Sequence, residues 1–218
     1  MTEGRGLFIT IEGGDGAGKT TQIDNITRFF EERGLVVMHT REPGSTRISE
    51  KLRDIVLDKN NIEMEPVTEM LIYSAARSQL VREKIIPALE RGEIVICDRY
   101  VDSSIAYQGY GRGLGDMVAE VNARATGGLE PDITFWLDID PKAGKARASK
   151  RALKGAESAA EPGLDRLELE EMDFHYRVRE GYSRLAEQYP ERVKRIDASR
   201  SVEEIKREIY EYLEELCK

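Results

Sequence analysis

Apolar residues recur along this chain in two alternating rhythms. Short runs rich in β-branched and aromatic residues stand at 7–12 (LFITIE), 35–40 (LVVMHT), 94–98 (IVICD), 133–139 (ITFWLDI) and 193–197 (VKRID). Largely unbroken apolar runs of that length suit strands buried on both faces, and helix-length spacers between them favour parallel pairing. The pattern predicts an α/β fold: a five-stranded parallel sheet covered by helices on both faces, forming one domain over residues 1–218.

The spacers carry the other rhythm. Ile23, Ile26 and Phe30 repeat at helical spacing, with Gly34 placed to cap the helix, so the first two strands and this segment read as a βαβ unit. Residues 66–91 read as one long helix with Met70, Leu71, Leu80, Val81, Ile85 and Ile86 inward, bent near Pro87 and closed by Gly92. Ser201 and Glu204 fit a capping box ahead of a final helix striped by Ile205, Ile209, Leu213 and Leu216. The segment 150–163 (KRALKGAESAAEPG) is too weakly apolar to be held by packing and reads as a mobile loop.

Composition narrows the classes. With 218 residues and 40% apolar content the chain can bury one substantial core. A net charge of −8 argues against a broad nucleic-acid surface, so any cationic site must be local. Two cysteines, Cys97 and Cys217, form no disulfide framework and no metal-ligand spacing. No run approaches the ~18 apolar residues of a membrane span, and MTEGRG is not the start of a signal peptide; a cytoplasmic protein without membrane contact is expected.

Chemistry begins where the first strand ends. Gly13, Gly14, Asp15, Gly16, Ala17, Gly18, Lys19 and Thr20 satisfy G-x-x-x-x-G-K-[ST], with a strand before and a helical pattern after. Glycines let successive backbone N–H groups turn inward around an anion, and the helix adds its positive end. Lys19 can reach the outer phosphates of a nucleotide, and the Thr20 hydroxyl can ligate Mg²⁺. No N-K-x-D tetrapeptide reads guanine, and Gly14 stands where partition-type ATPases carry lysine, so two families of nucleotide switch lose ground.

Two further clusters extend the site. Asp98 closes the apolar run Ile94–Cys97, as in a Walker B strand, and can hold Mg²⁺ through water or steady Thr20; Arg99 then offers a planar fork to the same anion, unless the pair is only a salt bridge at a strand end. Tyr73 and Arg77 share one helical face and suit a base with its 5′-phosphate, or else are a half-buried tyrosine beside a solvated arginine. Tyr107, Gln108, Ser103 and Ser104 could complete a pocket for base and sugar, or form an ordinary polar loop.

The stretches IEGGDGAGKTT (11–21), REPGST (41–46), LIYSAARSQL (71–80), DRYVDSSIAYQGYGRG (98–113), LDIDP (137–141) and LDRLE (164–168) together resemble the thymidylate kinase family, in family order over most of the chain. Ser45 departs from that pattern, which has a second glycine, and this leaves the tightness of the turn open. The resemblance implies a P-loop kinase fold with a lid at about 142–165, transfer of the ATP γ-phosphate to dTMP with Mg²⁺, and a homodimer. It places Asp15 by the dTMP sugar and phosphoryl path, Tyr73 on thymine, Arg77 at the base or its surroundings, Arg99 on the acceptor phosphate, Ser104 and Gln108 at the base and pocket edge, and Tyr107 against the sugar. Arg41 and Arg53 are weaker candidates on the acceptor side. Some members keep a catalytic arginine in the phosphate loop; here that position is Gly16, so the lid arginines Arg147 and Arg151 are expected to serve. The stretch 197–199 is a candidate adenine contact. Another nucleoside or nucleoside-monophosphate kinase is the near alternative, and a P-loop regulator with slow ATP hydrolysis the distant one.

Overall fold

The computed structural model describes residues 5–155 and 165–217, apart from the side chains of 151–155. Five strands, β1 (Phe8–Glu12), β2 (Val37–Arg41), β3 (Ile94–Asp98), β4 (Ile133–Asp138) and β5 (Val193–Asp197), pair in parallel in the order β2-β3-β1-β4-β5. Helices connect them: α1 (Lys19–Glu31), α2 (Arg47–Leu57), α3 (Pro66–Leu80), α4 (Ile86–Glu90), α5 (Val101–Ser104), α6 (Met117–Thr126), α7 (Pro141–Gly155), α8 (Met172–Gln188) and α9 (Val202–Leu216).

β1 sits at the centre and is buried along its whole length, which is why it reads as an unbroken apolar run. Its alternate side chains feed opposite faces. Ile9 and Ile11 pack with Phe29 of α1 and Ile209 and Leu213 of α9, whereas Phe8 packs with Leu80, Val95 and Tyr100. On the latter side of the sheet Thr10 and Thr134 share a buried hydrogen bond of 2.7 Å across β1 and β4.

The long helix expected at 66–91 is interrupted. Residues Val81–Ile85 form a π turn between α3 and α4, with the Ile86 N–H bonded to the Val81 carbonyl one residue further back than in an α-helix. Pro87 lacks an N–H and crowds the preceding turn, so the ladder adjusts just ahead of it. Leu71, expected inward, is half exposed (50%), because the buried face of α3 runs through Met70, Tyr73, Ala76, Arg77 and Leu80. Of the mobile loop expected at 150–163, residues 150–155 are helical instead, since α7 runs on to Gly155, and 156–163 lies outside the described residues. Its alanine- and lysine-rich sequence has good helix propensity, which outweighed the weak apolar pattern. The capping box stands as read, with Ser201 Oγ accepting from the Glu204 N–H and Glu204 returning a bond to the Ser201 N–H at 3.0 Å.

Parallel pairing brings the carboxyl ends of the strands together. Ile11 is in register with Asp98, and Arg41 with Asp98 from the other side. The turn after β1, the Asp98–Arg99 pair and the loop after β2 therefore meet at one edge of the sheet, where open α/β sheets bind ligands.

Candidate active site

The loop after β1 is a backbone cradle made possible by its glycines. Gly13 has φ +139°, and a Cβ there would lie 2.6 Å from the Leu137 carbonyl oxygen. Gly18, the N-cap of α1, is left-handed at φ +93° with open space beside it, a backbone conformation that glycine adopts without strain. Lys19 folds over this loop, its Nζ donating to the carbonyls of Gly13 (3.2 Å) and Gly14 (3.3 Å). Burial lowers the Lys19 pKa and neighbouring Arg99 adds to the effect, against the pull of Asp98 and Asp15. Thr20 is exposed in the first turn of the helix.

Arg99 is the hinge of the site. Its backbone is left-handed, φ +70°, a conformation that costs a side-chain-bearing residue roughly 1–2 kcal/mol. The turn carries its guanidinium back over the strand ends, where Nη2 lies 3.5 Å from Asp15 and Cζ sits 5.1 Å from the centre of the Tyr107 ring. Asp98 stays at the strand end; its Oδ1 is buried and has no hydrogen-bond partner among the described residues. The pair is therefore not the simple salt bridge that was the plain alternative.

Beyond Arg99 a cleft of about 860 Å³, open to solvent, is bordered by Tyr73, Arg77, Ser104, Tyr107 and Gln108, with Asp15 and Lys19 at its phosphate-loop end. Tyr73 is 9% exposed and Tyr107 7%, so both are pocket walls. The solvated arginine considered for position 77 is not found: Arg77 is 1% exposed. Its guanidinium donates to Glu42 (2.6 Å), Ser104 Oγ (2.9 Å), the Tyr100 carbonyl (2.9 Å) and Asn122, so all three nitrogens are engaged. Burial pushes the Glu42 carboxyl up to about 6 even against that cation. Arg41 and Arg53 also border the cleft, Arg41 paired with Glu50 at 2.9 Å and Arg53 donating to the Pro43 carbonyl at 2.8 Å.

The turn left open by Ser45 is formed. Ser45 adopts φ +69°, and the strain is met by its Oγ accepting from the Arg41 N–H at 3.0 Å and its N–H donating to Glu50 Oε1 at 2.5 Å.

Arg147 donates from Nη1 to the Ala198 carbonyl at 2.7 Å and from Nη2 to Ser199 at 3.4 Å, which ties α7 to the β5–α9 loop. This puts Arg147 beside the stretch expected to meet adenine. The side chain of Arg151 lies outside the described residues. What does touch the phosphate loop is the backbone of α7, since a Cβ on Gly16 would strike the Gly144 carbonyl.

Two buried acids escaped the reading of the sequence. Glu12 is fully buried and accepts from the Tyr100 N–H (2.7 Å), Ser103 Oγ (2.5 Å) and Tyr182 Oη (2.9 Å). Burial, then Asp102, raises its pKa to about 7. Glu69, also fully buried, receives Gln108, Arg112 and Arg166. Asp165, Leu167 and Glu168 border the cleft from the far side. The motif LDRLE marked the last group; nothing in periodicity marked Glu12, which looks like the hydrophilic end of a strand.

A family model for thymidylate kinase matches residues 11–209. A thymidylate kinase of Lactobacillus delbrueckii subsp. bulgaricus is 51% identical over 205 residues, 92% of this chain and 92% of that relative. One of Clostridium novyi is 45% identical over 210 residues, 96% of this chain and 98% of that relative. The crystal structure of the thymidylate kinase from Ehrlichia chaffeensis superposes with a TM-score of 0.75 at 31% identity, over 96% of this chain and 99% of that one.

Proposed function

The chain belongs to the thymidylate kinase family, and from that membership we propose how its own residues pass a phosphoryl group from ATP to dTMP. It is an enzyme, and its reaction is the phosphorylation of dTMP to dTDP. The observation that carries the residue assignment is the position of Arg99: it stands between the phosphate loop and the pocket walled by Tyr73 and Tyr107.

The acceptor is a phosphate already ionised at neutral pH, so the barrier is electrostatic rather than one of deprotonation. Two unit charges 4 Å apart repel by about 1 kcal/mol in water and about 4 kcal/mol at an effective dielectric of 20. Lys19 and the loop N–H groups from Gly13 to Thr20 hold the donor phosphates, and Arg99 holds the acceptor phosphate, which offsets that repulsion and sets the two groups in line. Asp15 orients Arg99 and borders the sugar, Tyr73 stacks on the base, Tyr107 crowds the sugar, and Ser104 and Gln108 meet the base edge. Arg77 acts from the pocket floor, where its bonds fix Ser104. Arg151 of the lid supplies a cation on closure, and Arg147 holds α7 to the nucleotide side.

A divalent cation fits the residues present. The partnerless buried oxygen of Asp98 and the exposed Thr20 hydroxyl form the hard oxygen set that Mg²⁺ takes. When bound, Mg²⁺ neutralises charge on the transferring phosphates.

We also assign this chain a homodimer through the outer faces of α2 and α3, where Ile48, Ile55, Val67 and Leu71 are each 41–50% exposed on two helices packed together. No described helix is long and apolar enough to cross a membrane.

A coupled assay across dTMP, dUMP, dCMP, UMP and AMP tests the reading. The highest kcat/KM is expected with dTMP; a higher value with another acceptor, or ATP hydrolysis independent of any acceptor, overturns it.

A further inference from the structure

Glu69, Tyr73 and Arg77 follow one another at intervals of four on α3 and so share one face. Ser104, the last residue of α5, and Gln108, in the π-helical turn Ile105–Gly111 that continues it, are again four apart and face them. The two rows are cross-linked at both ends: Arg77 Nη1 donates to Ser104 Oγ at 2.9 Å, and Gln108 Nε2 donates to Glu69 Oε1 at 2.8 Å, with Tyr73 between. Each link joins a residue of fixed polarity to one of free polarity. An ionised carboxylate only accepts, and a guanidinium only donates. Burial by itself would raise the Glu69 pKa, but hydrogen bonds from Arg112 and Gln108 hold it below the usual value, so Glu69 is an acceptor.

The consequences for Gln108 and Ser104 are definite. Gln108 must give its amide N–H to Glu69, which leaves Oε1, without a partner among the described residues, on the cleft side. Ser104 must accept from Arg77, which leaves its O–H, likewise without an acceptor among the described residues, to turn into the cleft. The pocket therefore presents an acceptor and a donor side by side. Thymine and uracil offer the complement, an N3–H donor next to the C4 carbonyl; cytosine offers an unprotonated N3 next to a C4 amine, the reverse.

We propose that Glu69, seated behind Gln108, is a positioning residue for substrate choice: with Arg77 it sets the polarity of the Gln108–Ser104 edge and so selects a thymine or uracil edge against cytosine. This rests on the reading that dTMP occupies the cleft. Glu69 is in turn clamped on Oε2 by Arg166 (2.5 Å) and Arg112 Nη2 (3.0 Å), while Arg112 Nε spans Oε2 (3.2 Å) and Oε1 (3.3 Å), and it does not border the cleft.

Glu69→Gln makes the inference sharp. Arg166 and Arg112 Nη2 hold the new carbonyl at the Oε2 position, so the amide NH₂ takes the Oε1 position, gives up the longer 3.3 Å contact with Arg112 Nε and faces Gln108, which must turn over to accept it and present its own NH₂ to the base. A methyl group changes selectivity only about 10–200-fold, whereas an edge with reversed polarity leaves buried groups unpaired and discriminates far more strongly. Steady-state kinetics with dTMP, dUMP and dCMP are the test. Wild-type enzyme is expected to use dUMP at least about tenfold better than dCMP, and in Glu69→Gln the dTMP-to-dCMP ratio of kcat/KM should fall at least about tenfold, mainly through the acceptor KM, with the ATP KM unchanged. Glu69→Asp keeps the charge for both arginines but withdraws from Gln108, and should lower the same ratio if Glu69→Gln does not fold. Equal use of dUMP and dCMP by wild type, or a ratio within threefold of wild type in either folded variant, overturns the inference. A wild type that prefers an acceptor other than dTMP would instead refute the reading of the cleft itself.

Discussion

Tyr182 Oη lies 2.9 Å from Glu12 Oε2, joining α8 to the end of β1 inside the site rather than at its rim. The same carboxylate takes Ser103 Oγ, and both hydroxyls lie within 3.5 Å of Arg99 Nη1. A buried acid thus supports the cation expected to hold the acceptor phosphate.

That acid has a thermodynamic signature. Its pKa is raised from 4.5 to about 7 in the folded state, so between those values the folded protein binds more protons than the unfolded chain. The contribution is fully present below about pH 4.5 and is lost as pH rises through about 7, at a cost of roughly 3 kcal/mol. Denaturant melts at pH 4.5 and pH 8 should show Glu12→Gln gaining stability relative to wild type at the higher pH only. Parallel profiles for the two proteins would contradict the assignment.

Arg99→Ala is expected to lower kcat about 10²–10³-fold with dTMP, while Arg99→Lys, which keeps charge but loses the fork, recovers only part of it. The ATP KM should change less than threefold. Single-turnover rates separate this from slowed product release.

Asp98→Asn should shift the Mg²⁺ concentration needed for half-maximal activity upward about tenfold, since one hard oxygen is lost from the phosphate end of the site. A Mg²⁺ titration unchanged from wild type would make Asp98 structural.

The two lid arginines should separate. Arg151→Ala is expected to reduce turnover by two or more decades with little change in dTMP affinity, as for an arginine finger. Arg147→Ala removes bonds to Ala198 and Ser199 and should raise the ATP KM instead. A change under threefold on Arg151→Ala removes that residue from the mechanism.

Leu71→Glu introduces a charge into the exposed apolar face of α3 and should convert a dimer to monomers in sedimentation, with secondary structure intact by circular dichroism. A dimer that persists would place the interface elsewhere.

The parts of this protein legible in the sequence are those whose physics is local. The three inner strands, β1, β3 and β4, stood out because strands buried on both faces must be apolar almost throughout, whereas the edge strands β2 and β5 are only partly buried and carry a weaker β-rich signal. The glycine loop, the Lys19–Thr20 start of α1 and the Ser201 cap were readable because backbone conformation and capping depend on a few adjacent residues. Leu71 and the helical reach of α7 were misread for the converse reason: whether an apolar position faces inward, and whether a weak pattern is helix or loop, depends on neighbours far along the chain.

Residue types at strand ends, read in order, pointed to the class of chemistry: a phosphate cradle, with an acid and a cation beside it as candidates for a metal and a second anion. Only the tertiary structure decided which charges are partnered. Arg77 and Glu42, 35 residues apart, became a buried pair, Arg147 turned to a loop 51 residues away, and Glu12 and Tyr182 met across 170. A charged side chain carries its sign in the sequence, but its energy depends on what surrounds it once water is excluded, and that is fixed by packing alone.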